Sequence, residues 1–287
     1  MLLSKVRKRY PIHQSPLYKV VGIGQLERVI GVDLVHLDRL LSRENYRVWL
    51  NDSGREIQQP IRWLGQVHKR IGSLLSRIEV PDYVFSQKGR SYADNARHHI
   101  GNVPLGKTDV SKFYPSTTRY MVWRMFIRDF QCAEDVAHIL ADVCCYEQKH
   151  LPTGSPLSGR IAHFAASPMF EEINDLAAKS ASRMTVYVDD VTLSGPAVTK
   201  RLIGEVRRIV RRHGLRTKQS KTMTYSAKAS KMVTGAIVVG DALKLPNARH
   251  KRIWETRAAL RRATPSERKA LLSSLRGRVQ EARQVLK

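Results

Sequence analysis

Asp189 and Asp190 stand side by side in the run Tyr187-Val188-Asp189-Asp190, and that arrangement carries an electrostatic problem. Two carboxylates this close raise each other's proton affinity and repel once ionised. A divalent cation resolves the conflict. Mg²⁺ prefers hard oxygen ligands and is commonly held by one or two carboxylates together with substrate phosphates. A third acid, Asp109, closes a segment that reads as a strand and can complete the set. Two such ions about 4 Å apart would activate an attacking 3′-oxygen and stabilise a departing pyrophosphate. The four-residue run on its own is weak ground, because a solvent-exposed acidic turn can have the same letters.

The elements that must position these acids follow from hydrophobic periodicity. Pro104 to Val110 reads as a short strand ending at Asp109. Thr185 to Ser194 reads as a hairpin, with Val186, Val188, Val191 and Leu193 flanking a turn that carries the acids. Val20 to Leu41 suggests one or two short helices, and Asn51-Asp52-Ser53-Gly54 signals a turn. The segment 61–78 reads as an amphipathic helix. Trp63, Leu64, Val67, Ile71, Leu74, Leu75 and Ile78 form its apolar stripe, with His68, Lys69, Arg70 and Arg77 elsewhere and Pro60 just ahead. Further helices are expected over 118–146, 157–178 and 201–213, the last stopped by Gly214, with a loop at 152–156 and a strand or hairpin over 231–239. Strands alternating with helices suggest an α+β architecture.

Charge points to the partner. Lys and Arg number 50 against 25 Asp and Glu, a net charge of +25. Such an excess destabilises a compact chain unless something neutralises it, and nucleic-acid phosphates are the natural counter-charge. The basic residues run along the whole chain, which disfavours a membrane surface, and no stretch approaches the roughly 18 apolar residues of a span. Composition shifts after Arg249: residues 249–287 hold 12 Lys/Arg against Glu255, Glu267 and Glu281, and read as helical and basic. Cys132, Cys144 and Cys145 have no metal-binding spacing and read as buried thiols of a reducing compartment. The N-terminal run from Met1 to His13 lacks an apolar core of signal-peptide length, so a cytoplasmic location is the expectation.

Taken together, the motifs resemble the reverse transcriptase family, specifically its bacterial retron branch, over roughly residues 55–245 and in the family's order. Arg55-Glu56-Ile57 with Pro60 and Leu64 looks like the first fingers motif, and Phe85 through Gly89 with Ser91 like the second. Asn95-Ala96-Arg97-His98-His99 matches the NAxxH element of retron enzymes. Asp109 with Phe113-Tyr114-Pro115-Ser116 matches the first palm motif, and Leu151 through Ser158 the motif beneath the incoming nucleotide. Tyr187 to Asp190 is the catalytic turn, Lys221-Thr222 the following lysine motif, and Val233-Thr234-Gly235 a second retron hallmark.

This resemblance implies a right-hand polymerase: an N-terminal segment and fingers over 1–104, a palm over 105–240 with an antiparallel sheet flanked by helices (118–150 contributing to the fingers), and a small basic helical thumb over 241–287. It implies that Asp109, Asp189, Asp190 and the backbone carbonyl of Val110 hold two Mg²⁺ ions, for which Mn²⁺ can substitute. Tyr114 beside Phe113 would be the steric gate against a 2′-hydroxyl, with core packing the plain alternative for Tyr114. Gly154 and Ser155 would lie close to the nucleotide. Lys221 would neutralise or protonate pyrophosphate, and Arg55 would hold the triphosphate; each is otherwise an ordinary solvated residue. Asn95 and His99, with Val233, Thr234 and Gly235, would recognise RNA or brace the fold. The implied partners are dNTPs, a structured non-coding RNA serving as template and primer, its DNA product, and an associated effector protein in antiphage defence. Intron-type enzymes carry a long extension for which a chain ending at Lys287 leaves no room; an abortive-infection polymerase and a non-catalytic RNA-binding scaffold are the other readings. The chain departs from the family at Thr153, where Gln is frequent, at Ser158-Gly159, where Ser-Pro is frequent, and at His163, where Asn is frequent. Val188 stands where the retron turn commonly has Ala, and a β environment would suit it.

Overall fold

The structure, a computed structural model, describes residues 8–286. The first half of the N-terminal run, Met1 to Arg7, and the terminal Lys287 lie outside the described residues. The chain divides into two compact units, each assembled from three stretches.

The first unit takes the chain up to Pro81, Val110–Glu172 and Val210–Arg216. Strands β1 (Tyr46–Leu50) and β2 (Glu56–Pro60) pair antiparallel around the Asn51–Gly54 turn, where Gly54 adopts φ +71°. The rest is helical. The stripe read over 61–78 becomes the helix Arg62–Leu75, which buries Leu64, Val67, Ile71, Leu74 and Leu75. Two of its residues exchange the places expected of them: Trp63 is 67% exposed, and His68 is wholly buried. The expected helix over 118–146 is broken into Arg119–Arg128 and Glu134–Cys144, with Gln131 at φ +51° in the link. Likewise 157–178 is split into Ser158–Ala165 and Ser167–Lys179. Phe126, Phe130 and Phe164 meet at ring distances of 5.4 and 6.0 Å and fill the core between these helices.

The second unit takes Asp82–Asp109, Ile173–Ile209 and the chain from Thr217 onward. Its main sheet has four antiparallel strands, built from β3 (Leu105–Asp109), β4 (Arg183–Tyr187), β5 (Asp190–Ser194) and β6 (Met223–Tyr225) in the order β4-β5-β3-β6. Gly106 is required in β3: a Cβ there would sit 2.4 Å from Ile203, which packs onto the strand from the helix Lys200–Arg212. A second sheet joins β7 (Lys231–Val233), β8 (Ala236–Val239) and β9 (Ala242–Lys244) as a meander. The basic C-terminal stretch forms two helices, Asn247–Arg262 and Pro265–Leu286. A small apolar core holds them to the sheets: Val285 joins Ala93, Ala96, Leu105, Val233, Val238 and Leu243. Among the described residues no helix is long and apolar enough to cross a membrane. The three cysteines are free and buried, and burial pushes the Cys132 thiol up to about 11.

Candidate active site

The β4–β5 hairpin delivers the acids. Tyr187 pairs with Asp190 across it, so Val188 and Asp189 form the turn, and Asp190 pairs in turn with Asp109 on β3. The side chains of the three acids thus come from the ends of two neighbouring strands and the turn beside them. Val188 sits at φ +60°, in the left-handed region that a β-branched side chain strongly resists. The β setting expected for Val188 is therefore corrected: the residue carries the turn's strain.

Electrostatics mark the cluster as short of positive charge. Burial, then the Asp109 charge, pushes the Asp189 carboxyl up to about 6, and burial likewise raises Asp190. Asp109 is 6% exposed, and its Oδ2 accepts a short hydrogen bond from the Lys221 ammonium. That bond, more than any other influence, raises Lys221. The backbone fixes the lysine's position: Lys218 N–H donates to the Asp109 carbonyl at 2.9 Å, and the turn Gln219–Lys221 follows. Asp190 Oδ1 is buried with no hydrogen-bond partner among the described residues. A buried carboxylate oxygen without a donor is costly, and it is the kind of atom a hard cation satisfies. The residues present fit a divalent metal in donor chemistry. Among the described residues, however, no three His, Cys, Asp or Glu side chains stand as a ready ligand array, and Lys221 is what engages Asp109.

The other expected site residues fall in both units. Val110, Phe113, Tyr114, Gly154, Ser155 and Arg55 belong to the first. Phe113 is buried against Phe170, which makes it a core residue. Tyr114 is half-buried, and a Cβ on Gly159 would stand 3.4 Å from its hydroxyl, so the Gly159 departure leaves that ring room. Gly154 lies where a Cβ would be 2.8 Å from the Gln58 carbonyl oxygen. Arg55 is exposed at the end of the β1–β2 turn. His163, another departure, stacks on Phe170 at 5.7 Å as part of the core.

Two residues of this unit were missed by the sequence reading. Gln58 Oε1 accepts from both Thr153 N–H (2.9 Å) and Thr153 Oγ1 (2.8 Å), while Gly154 N–H donates to the Gln58 carbonyl. His68 Nε2–H donates to the Val143 carbonyl at 2.7 Å, which fixes the tautomer and leaves Nδ1 to accept from Ser155 Oγ at 2.7 Å. The loop Leu151–Ser158 is thus clamped to β2 and to the helix Arg62–Leu75. Alternation marks Gln58 only faintly, and helical periodicity placed His68 off the buried face.

In the second unit the two retron-type motifs prove to be one assembly. Asn95 and His99 are both wholly buried. Asn95 Nδ2 donates to Thr234 Oγ1 at 3.2 Å, and Thr234 Oγ1 donates to the Tyr92 carbonyl. His99 is held between Ser194 and Thr185 at 2.7 Å each, and burial keeps it neutral, lowering its pKa to about 3. Burial and these bonds are what the bracing role requires of the two residues. Val233 is buried beside them, Thr234 stands at φ +43° and Gly235 at φ +91°.

An acid pair at a hairpin turn, a third acid on the adjacent strand and a lysine against it thus form one charged cluster in the second unit. The family model described as Reverse transcriptase (RNA-dependent DNA polymerase) matches residues 42–253, and the chain belongs to that family. Its curated relatives include the Retron Ec86 reverse transcriptase of Escherichia coli, 28% identical over 69% of this chain and 63% of that protein. The Retron Se72 reverse transcriptase of Salmonella heidelberg (strain 579083-10) is 27% identical over 79% and 64% respectively. The chain thus spans a little under two thirds of the length of these relatives. Among solved structures, telomerase from Candida albicans, determined in complex with a TWJ fragment of telomeric RNA, superposes with a TM-score of 0.51. That match covers 83% of this chain and 56% of the telomerase chain at 11% identity, and supports a shared mixed helix-and-sheet fold.

Proposed function

We propose that the protein is an RNA-directed DNA polymerase of retron type. It would make RNA-linked single-stranded DNA from a structured non-coding RNA that is both template and primer. The observation that carries this reading is the under-neutralised acid cluster at the β4–β5 turn, set in a chain that belongs to the reverse transcriptase family. Asp109, Asp189 and Asp190, with the Val110 carbonyl, would hold two divalent cations, Mg²⁺ or Mn²⁺. When bound, these supply Lewis-acid activation of the attacking hydroxyl and charge neutralisation at the leaving pyrophosphate. Lys221, already an ammonium beside Asp109, would shift its charge toward the departing phosphates and would give them a proton. Tyr114, Gly154, Ser155 and Arg55 would contact the deoxynucleotide, Gly154 and Ser155 from a loop whose geometry Gln58 and His68 fix. In the right-hand description, fingers, palm and thumb would occupy 1–104, 105–240 and 241–287. A cytoplasmic role in antiphage defence with an effector protein accompanies the retron assignment.

Primer extension on an RNA template tests the polymerase. Wild-type protein should extend only with Mg²⁺ or Mn²⁺, and Asp189→Asn with Asp190→Asn should abolish extension, a loss of at least about 10³-fold, while RNA affinity stays close to wild type. Undiminished DNA synthesis by the double variant defeats the mechanism. Sequencing the RNA that co-purifies with the protein tests the retron assignment: a structured RNA bearing covalently linked DNA is expected, and its absence sends the reading to another reverse transcriptase class.

A further inference from the structure

The helices Asn247–Arg262 and Pro265–Leu286 enclose a cavity of about 110 Å³ lined by Leu245, Arg249, Arg252, Ile253, Arg278 and Glu281. Helical spacing explains the gathering. Arg249 and Arg252 are three apart on one helix, Arg278 and Glu281 three apart on the other, so each pair shares a face. Three guanidiniums and one carboxylate leave this small space with an excess of two positive charges. The single carboxylate is already committed. Glu281 Oε1 accepts from Arg249 Nη1 at 2.7 Å and from the Tyr92 hydroxyl at 3.2 Å. Among the described residues no carboxylate pairs with Arg252 or Arg278; the Arg278 Nε donates to Ser274 Oγ. Like charges gathered without counter-charge cost stability, and guanidinium forks are matched in geometry to phosphate oxygens.

Arg249 connects this cavity to the braced motifs. Its guanidinium lies over the Tyr92 ring at 4.9 Å and donates to the Tyr92 hydroxyl at 2.6 Å. It also passes so close to Gly235 that a Cβ there would be 2.6 Å from Nη2. Gly235 follows Thr234, which bonds Asn95 and the Tyr92 carbonyl. The residues behind the cavity are therefore fixed, while the Arg252 and Arg278 side chains form no ion pair among the described residues.

We infer that this cavity is a built phosphate site, in which Arg252 and Arg278 clasp one phosphate of a bound nucleic acid against the fixed Arg249. It rests on the reading that RNA is the partner, and it assigns a defined position to what would otherwise be diffuse attraction to a basic surface. The ligand is a phosphate group, either an internal phosphodiester or a strand-terminal phosphate.

The test is the affinity of the full chain for a short RNA duplex, measured by anisotropy in EDTA without dNTP across a salt series. The variants are Arg252→Gln with Arg278→Gln, and a control of equal charge on the same helices, Arg257→Gln with Arg268→Gln. The cavity double variant should bind about 10-fold or more weakly at low salt and lower the slope of log K against log salt by roughly one, with the control changing far less. Its Tm without RNA should match or exceed wild type, since like charges have been removed; this separates lost contacts from lost folding. Equal weakening and equal slopes in the two double variants would overturn the site and leave RNA binding intact. No RNA binding by wild-type protein would instead overturn the reading beneath it. Repeating the series with 5′-hydroxyl duplexes identifies the source: a persistent difference assigns the site to internal phosphodiesters, and a vanishing one to a terminal phosphate.

Discussion

The loop Leu151–Ser158 in the first unit and the turn Val188–Asp189 in the second are both short connections bearing expected site residues, yet they hold polarity in opposite ways. Around the loop the bonds are neutral and paired: Thr153 to Gln58, Ser155 to His68, and Ser158 Oγ to the Pro152 carbonyl at 2.7 Å. Around the turn they are charged and incomplete. Two acids are raised by burial, Asp190 Oδ1 has no hydrogen-bond partner among the described residues, Val188 is strained, and two lysines, Lys221 and Lys107, answer three carboxylates. A saturated neutral network keeps its geometry whatever is bound. A charged, under-satisfied one is completed by its ligand, which is how a site binds cation and phosphate strongly without being stable in its own right.

The largest effect, after loss of the acids themselves, should come from the ammonium. Lys221→Met removes both the partner of Asp109 and the proposed donor to pyrophosphate. Primer extension at saturating dNTP should fall about 10²-fold or more. The Tm in EDTA should fall too, with added Mg²⁺ recovering most of the difference because the metal supplies the missing positive charge. Full extension by this variant would mean that Lys221 is an ordinary surface residue.

Buried histidines come next, and they occur on both sides of the comparison. Burial lowers His68 to about 4 and His99 to about 3 from an ordinary value near 6.5. Between pH 6.5 and those values the unfolded chain binds protons that the folded chain refuses. The contribution of these two histidines to stability therefore rises with pH across this window and is lost as pH falls below 6.5. Urea unfolding at pH 7 and pH 5 should show the drop, and His99→Ala should flatten it. That variant should also cost about 2 kcal/mol at pH 7, because Ser194 and Thr185 lose their shared partner. An unaltered pH dependence in His99→Ala would place the acid sensitivity elsewhere.

Gly154→Ala probes the saturated loop by crowding it. The new Cβ would meet the Gln58 carbonyl oxygen at 2.8 Å and Ile57 Cγ2 at 2.9 Å, both on β2. A loss of about 1–2 kcal/mol is expected from overpacking, read by urea unfolding, with KM for dNTP raised more than kcat is lowered. A tolerated alanine would show that the clamp yields.

What could be read from residue order divides along the same line. The acids, Lys221 and Tyr114 announce themselves because their chemistry demands those residue types, and the β4–β5 hairpin shows in its alternating valines. The long helices over 118–146 and 157–178 were overextended because apolar spacing continues through the breaks, which depend on tertiary packing and on a left-handed Gln131. The clamp was invisible: Gln58 and His68 are separated from their partners by 95 and 87 residues, and no local pattern reports such pairing. Asn95 and Thr234 were each noticed as motifs, but that they bond to one another is a fact of folding alone.

The smallest effect tests whether the turn's strain is incidental. At φ +60° a valine pays for its Cβ branches, whereas asparagine visits this region readily. Val188→Asn should therefore stabilise the protein by about 1 kcal/mol, seen as a higher Tm in EDTA. If the strain serves only to hold Asp189 where burial raises it, extension should change by no more than a few fold, because asparagine keeps the same turn. A more stable variant with sharply reduced extension would show the reverse: that the strained valine, through its bulk, helps keep the acid turn in its under-satisfied state. In either outcome the contrast holds a measurable quantity, since relieving strain at the turn raises stability whereas crowding the clamped loop with Gly154→Ala lowers it.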